Sequence, residues 1–167
     1  MATLRIKESP NRRVIAAANR FHEAAKKLGA VDALTVPSVV NAALALELYL
    51  KCLNADIHFK EGRVKRGGAV AYDKVSVFAN SKVHEPHELF NALSQGTREF
   101  LDVSFSKRFP LKPKKLESVL KVFQGIFVNW RYFFEGKAKG FNLSELFEIL
   151  DFFKASTTEF ASWKQIK

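Results

Sequence analysis

An all-α fold is predicted by three observations. Apolar residues recur every three to four positions through several long stretches. Helix starts and stops are marked by Pro, Asn and Gly. Strand-like alternation is confined to one stretch, residues 56–83. The chain has 167 residues, 47% of them apolar and sixteen of them Phe, so it carries enough bulk to bury one core without disulfides. Residues 1–167 are read as a single domain: an up-and-down bundle of about five helices with a basic, hairpin-capable insertion at 56–83.

The first helix is expected to start at Ser9-Pro10, with Ser as cap and Pro at the first helical position, and to end at Leu28-Gly29. Val14, Ala17 or Ala18, Phe21, Ala25 and Leu28 supply its inner face. Pro37 opens a second helix that runs to about Ala55, with Val40, Leu44, Glu47, Leu48 and Lys51 close together in the helical period. Periodicity is then lost. Gly62, Gly67 and Gly68 alternate with Arg63, Lys65 and Arg66, and Val70 to Phe78 reads as a strand or half of a hairpin.

Pro86 starts a third helical section, interrupted near Gly96 and continuing from Arg98 to about Ser106. After Pro110-Leu-Lys-Pro113, one long helix is expected over Lys114 to Glu135, with Leu116, Phe123, Phe127, Trp130 and Phe134 along one side, broken by Lys137-Ala-Lys-Gly140. Asn142 and Glu145 have capping-box spacing. A last helix follows, carrying Leu146, Leu150, Phe153, Phe160 and Trp163.

The single cysteine, Cys52, has no intramolecular partner and falls in an apolar helical pattern, where it packs as a small hydrophobe in a reducing cytoplasm. The apolar run Val14 to Ala18 is too short for a secretory leader, and no stretch reaches the ~20 apolar residues of a membrane span. Twenty-seven Lys and Arg against seventeen Asp and Glu give a net charge of +10. Such a field attracts phosphate-rich or acidic partners, or simply keeps the surface solvated. Most of the excess lies in three stretches: Arg5 to Lys27, Lys60 to Lys82 and Lys107 to Lys121.

Three segments place polar groups in apolar helical stripes: Asn41-Ala-Ala-Leu-Ala-Leu-Glu47-Leu-Tyr-Leu-Lys51, His87-Glu-Leu-Phe, and Phe127-Val-Asn-Trp130-Arg131-Tyr132-Phe-Phe-Glu135. Polar groups on a core-facing stripe must find partners inside the fold. Glu47, Lys51, His87, Arg131 and Glu135 are therefore expected to form one cluster between the second, third and fourth helices. In order and type the segments resemble the HEPN superfamily (higher eukaryotes and prokaryotes nucleotide-binding), where A-L-x-L-E-x-x-L-K, H-D/E-L and R-Y-x-x-E helices recur; the resemblance spans roughly residues 10 to 164. It implies a protein in toxin–antitoxin, defence or RNA-processing settings, sometimes beside a nucleotidyltransferase-type antitoxin partner.

Active ribonucleases of that family carry Arg followed four to six residues later by His, a pair suited to acid–base work on a 2′-hydroxyl and to stabilising the phosphorane charge. No histidine follows Arg131 at that spacing, and none of the nine arginines stands in that relation to His22, His58, His84 or His87. Arg131 is read either as an ion-pair partner of Glu47 or Glu135 or as a phosphate ligand in a groove. His87, just inside a helix start, is expected neutral and hydrogen-bonded. With His84 it makes a two-ligand set, too few for a metal site, and no cofactor motif is present. The aromatic run Phe127 to Phe134 exceeds one face and points to a homodimer.

The expectation is an HEPN-like RNA- or nucleotide-binding protein that lacks the nuclease motif. Its nucleic-acid contacts would be Lys60, Arg63, Lys65, Arg66 and the Lys112, Lys114, Lys115 cluster. Two alternatives stay open: a divergent metal-independent ribonuclease using Arg131 and His87, and a scaffold for an acidic partner.

Overall fold

The central feature is α2, Val36–Cys52, which is buried nearly all round by Val39, Ala42, Ala43, Ala45, Leu46, Tyr49, Leu50 and Cys52. A helix apolar on every side belongs in the middle of a bundle. Here α2 touches α1 (Arg12–Val31), α3 (Pro86–Asn91), α6 (Ile126–Arg131) and α7 (Leu143–Gln165). Ala18 and Ala25 of α1 and Ala42, Ala43 and Ala45 of α2 are buried, and small side chains of this kind let helices approach closely. The computed structural model describes the backbone of residues 3–31, 36–66, 69–112, 114–136 and 140–165, and their side chains apart from those of 3–8, 60–75 and 161–165. The expected Gly67-Gly68 turn and Lys137–Lys139 break lie outside the described residues, as does the side chain of Trp163.

The helical bundle has the five expected sections, two of which are divided. The third consists of α3 and α4 (Gln95–Arg108), separated at Ala92–Ser94, with Ser94 capping α4 through Thr97 N. The fourth departs from expectation: the predicted continuous helix 114–135 is α5 (Leu116–Val122), a turn at Phe123–Gly125, α6, and a 3-10 turn at Phe133–Glu135. Gly125 adopts φ +70, and a Cβ there would sit 2.9 Å from Asn129 Nδ2. Only glycine takes this conformation without cost, so the apolar period extrapolated across it is reset.

The first helix also starts later than expected. Asn11, not Ser9, is its cap: Asn11 Oδ1 accepts from the N–H groups of Arg13 and Val14, at 3.1 Å each. Ser9 Oγ instead donates to Leu53 O at the end of α2. At α7 the Asn142 cap forms as predicted, accepting from Glu145 N at 3.2 Å. Phe105, Phe109, Phe152 and Phe153 interlock edge-on or tilted between α4 and α7.

The insertion is a hairpin, β2 (Ala55–Arg66) and β3 (Ala69–Ala79), joined by an unexpected third strand, β1 (Thr3–Glu8), in an antiparallel sheet of order β1-β2-β3. Arg5 pairs with His58, Lys7 with Asp56, and Thr3 with Lys60, while Lys60 pairs with Lys74 and His58 with Ser76. Directly paired residues share a face. One face therefore takes the positions of Thr3, Arg5, Lys7, Asp56, His58, Lys60, Lys74, Ser76 and Phe78, and the other those of Leu4, Ile6, Ile57, Phe59, Val75 and Val77. The His58 and Phe78 rings, 4.7 Å apart, lie together on the first face. Past Lys60 the register shifts twice before resuming at Lys65.

Candidate functional site

Glu47 and Lys51 are one turn apart on α2 and meet: Lys51 Nζ donates to Glu47 Oε1 at 2.6 Å. Glu47 is only 6% exposed, so its charge needs partners within the fold. The second partner is His84, which the sequence offers only as half of a two-histidine set: its Nδ1 lies 2.9 Å from the same carboxylate oxygen. The His84 side chain is 64% exposed. A carboxylate on Nδ1 holds the proton there and leaves Nε2 as the basic nitrogen. The arrangement is a positioned imidazole at the protein surface, able to exchange a proton with a bound ligand.

The loop bearing His84 is tethered by its neighbour. Glu85 Oε2 accepts from Gly125 N at 2.7 Å, and His84, Glu85, Ala43, Phe123 and Phe127 line one shallow groove. The guanidinium of Arg131, one helical turn past Phe127, stands 6.0 Å from the Phe127 ring centre and 5.5 Å from that of Tyr132. Both are cation–π distances.

Of the five residues expected to cluster, the structure brings together Glu47 and Lys51 and leaves the other three out. Arg131 is exposed and faces rings instead of Glu47, because the break at Gly125 turns the helix that carries it. His87 points elsewhere: it lies close enough to Glu117 of α5 to act on it, and its Nδ1 is buried with no hydrogen bond among the described residues. Asn91, Lys121 and, more weakly, His87 hold the Glu117 carboxyl below its ordinary range. Glu135 is exposed in the 3-10 turn. The expected buried ion pair of Arg131 and the Arg131–His87 convergence are thus replaced by Glu47–Lys51–His84.

A second polar group, missed by the sequence reading, lies between α1, α2 and α7. Tyr49 and His22 are fully buried. Tyr49 Oη donates to Asn19 Oδ1 at 2.7 Å, and His22 Nδ1 is 3.2 Å from Tyr49 Oη. Since the hydroxyl proton is spent on Asn19, the imidazole is the donor in the second contact. His22 Nε2 is then unprotonated and has no hydrogen bond among the described residues, with Asp151 Oδ1 3.6 Å away. Burial, then Lys26, pushes the His22 pKa down. Burial likewise pushes up the Tyr49 hydroxyl and the Cys52 thiol, whose Sγ donates to Tyr49 O, so Cys52 packs as a small inert hydrophobe. The signal was available: His22 falls on the stripe of Ala18 and Ala25.

The expected nucleic-acid contacts divide. The side chains of Lys60, Arg63, Lys65 and Arg66 lie outside the described residues, although their backbone forms β2. Lys112 is engaged by Glu148 at 2.8 Å and Glu145 at 3.5 Å, a partnership the loop before α5 makes with α7, and is not a free cation. Lys114 and Lys115 are exposed. Among the described residues no group of three His, Cys, Asp or Glu side chains could hold a metal ion, and no helix is long and apolar enough to cross a membrane. No known protein family, curated protein or solved structure matches the chain.

Proposed function

We propose that this chain is an HEPN-like RNA-associated binding module that receives the phosphate backbone on its three-stranded sheet. The observation that carries the reading is the strand register. It gathers Arg5 and Lys7 from the amino-terminal basic stretch with Lys60 and Lys74 from the insertion, beside Ser76 and the His58–Phe78 ring pair. Cations beside an aromatic platform are what a single strand of RNA requires: charge for the phosphates and a ring for a base. Self-association belongs to the same reading. Val128, Tyr132, Phe133 and Phe134 form an exposed apolar edge on α6 and the 3-10 turn, of the kind a second copy covers.

The test is binding of a short single-stranded RNA across a salt series. Four phosphate contacts on a single strand give a slope of about −2.8 in log K against log salt, or about fifty-fold weaker binding at 200 than at 50 mM. Replacing Lys60 and Lys74 together by Ala flattens that slope by about 1.4 for every RNA sequence. Absence of binding at low salt removes the reading and leaves a scaffold for an acidic partner.

A second reading rests on one observation, the exposed imidazole of His84 held by buried Glu47. In a metal-independent ribonuclease, Nε2 would take the 2′-hydroxyl proton while O2′ attacks the adjacent phosphorus and the P–O5′ bond breaks; the departing 5′-oxygen would take a proton from water, leaving a 5′-hydroxyl and a 2′,3′-cyclic phosphate. RNA cleavage in chelator that is lost in His84→Ala and kept in His87→Ala supports it.

A further inference from the structure

Among the described residues the most exposed large apolar side chain is Leu111, at 95%. A single leucine in solvent is ordinary on a protein surface. Leu111 is set apart by what holds it and by what surrounds it. Phe109 to Lys112 is a tight turn closed by Lys112 N donating to Phe109 O at 3.0 Å, with Pro110 at its second position and Leu111 at its third. Both ends of the turn are pinned to the bundle. Phe109 packs on Phe105 of α4 and Phe152 of α7, at ring distances of 5.0 and 6.2 Å. Lys112 Nζ lies over the Phe109 ring and binds Glu145 and Glu148 of α7. The leucine is therefore held out from the molecule on a preformed support, where folding buries almost none of it.

Positive charge surrounds the tip. Lys107 and Arg108 close α4 just before the turn, and Lys114 and Lys115 follow it. All four are exposed, and none makes an ion pair among the described residues. Each stands within four residues of Leu111, so within about 14 Å of it along even a fully extended chain. Glu145 and Glu148 are taken up by Lys112, and the charge of Lys115 acts on Asp102. Basic residues in a last helical turn also offset the helix dipole, but that role asks for no apolar tip beside them.

Nucleic acid and an anionic lipid leaflet both attract such a ring of cations, and Leu111 decides between them. RNA is met by charge and by flat rings that stack on bases, and an aliphatic tip in front of the cations holds them off the phosphates. A bilayer takes the same tip into its acyl region while the cations stay at the level of the headgroups. We infer that the Phe109–Lys112 turn, with Lys107, Arg108, Lys114 and Lys115 around it, docks the chain on an anionic lipid surface. Leu111 enters the leaflet, and the four cations meet the phosphate and carboxylate groups of its lipids. The turn and the sheet share no residues, so the site is independent of the RNA reading.

Flotation of the full chain with vesicles of phosphatidylcholine and about one-third phosphatidylserine tests this, with pure phosphatidylcholine vesicles beside them. The chain is expected to float with the mixed vesicles and to stay behind with the neutral ones. Lys107→Ala with Arg108→Ala weakens binding by about twenty-five-fold, at about fivefold for each cation near the surface, while the Lys60/Lys74 variant of equal net charge keeps wild-type binding. That charge-matched pair separates a docking site from the pull of the chain's overall charge of +10. Leu111→Ala changes no charge and weakens binding by at least about fourfold, the worth of one methylene withdrawn from the acyl region. Because Leu111, Lys107 and Arg108 are exposed, the melting curves of these variants stay cooperative. Leu111→Cys carrying a polarity-sensitive dye reports the position of the tip, since Cys52 is buried. Its emission shifts to the blue on mixed vesicles and is unmoved by single-stranded RNA. No flotation with mixed vesicles, equal weakening in the two charge-matched variants, or unaltered binding in Leu111→Ala overturns the inference. RNA binding that falls in the Lys107/Arg108 variant while vesicle binding does not also overturns it and gives the patch to nucleic acid.

Discussion

α2 carries two polar groups that sit two residues apart and obey opposite rules. Tyr49 faces α1 and α7 in a network of neutral groups, a hydroxyl, an imidazole and an amide, whose central members are wholly out of solvent. Glu47 faces the loop before α3 and is met by Lys51 and by His84, the latter largely in solvent. The difference follows from desolvation. An ion cannot be taken fully from water without several kcal/mol of compensation, so deep polar groups stay neutral while charged ones stay near an exit. The neutral site ties α1 to α2, and the charged one presents an imidazole to the outside.

The comparison can be broken first at Glu47. Glu47→Ala strands Lys51, whose side chain is 13% exposed, and removes the anchor of His84, with an expected loss of about 3 kcal/mol in urea unfolding. A loss below about 1 kcal/mol would mean that Lys51 simply swings into water. Tyr49→Phe comes next. It leaves His22 Nδ1 and Asn19 Oδ1 without the hydroxyl while keeping the ring, and costs about 2 kcal/mol.

Acidification sharpens the contrast. The folded-state pKa of His22 lies below its ordinary value of 6.5, so between those two values the unfolded chain binds the proton and the folded one resists it. The stability due to neutral His22 is complete above about pH 6.5 and declines as pH falls below it. Urea midpoints at about pH 7.5 and 5.5 should therefore drop in the wild type and drop less in His22→Gln, which retains a donor for Tyr49. The depressed carboxyls of Glu23 and Glu117 act in a more acidic window, starting below their ordinary 4.5. The smallest effect is expected for His84→Ala, within about 1 kcal/mol, because one partner of that contact is mostly solvated. A large destabilisation there would make His84 a structural strut and weaken its reading as an available base.

Much of the bundle was legible because its cause is local. Apolar period, Pro86 at a helix start and Asn142 with Glu145 each act within a turn or two of chain, and each did so as expected. Ser9-Pro10 shows the limit of such rules: the cap signal was real, but Asn11, two residues on, satisfied the helix, and Ser9 was free to bind Leu53 O across 44 residues. The 114–135 stretch failed for a related reason. Its apolar spacing is helical throughout, yet Gln124-Gly125 offers a left-handed turn, and Glu85, forty residues earlier in the chain, accepts the Gly125 N–H that the turn exposes.

By itself the sequence determined that the chain forms about five helical sections, that strand structure is confined to the insertion and its partner, and that Glu47 and Lys51 meet, since residues four apart on a helix are neighbours whatever surrounds them. Tertiary structure alone decided that Thr3–Glu8 becomes a third strand, that His84 takes the place given to His87 beside Glu47, and that Arg131 turns outward. Each of these depends on contacts between segments tens of residues apart. There the closure of a loop, the phase of a broken helix and the demand of a buried carboxylate for any reachable donor outweigh local pattern.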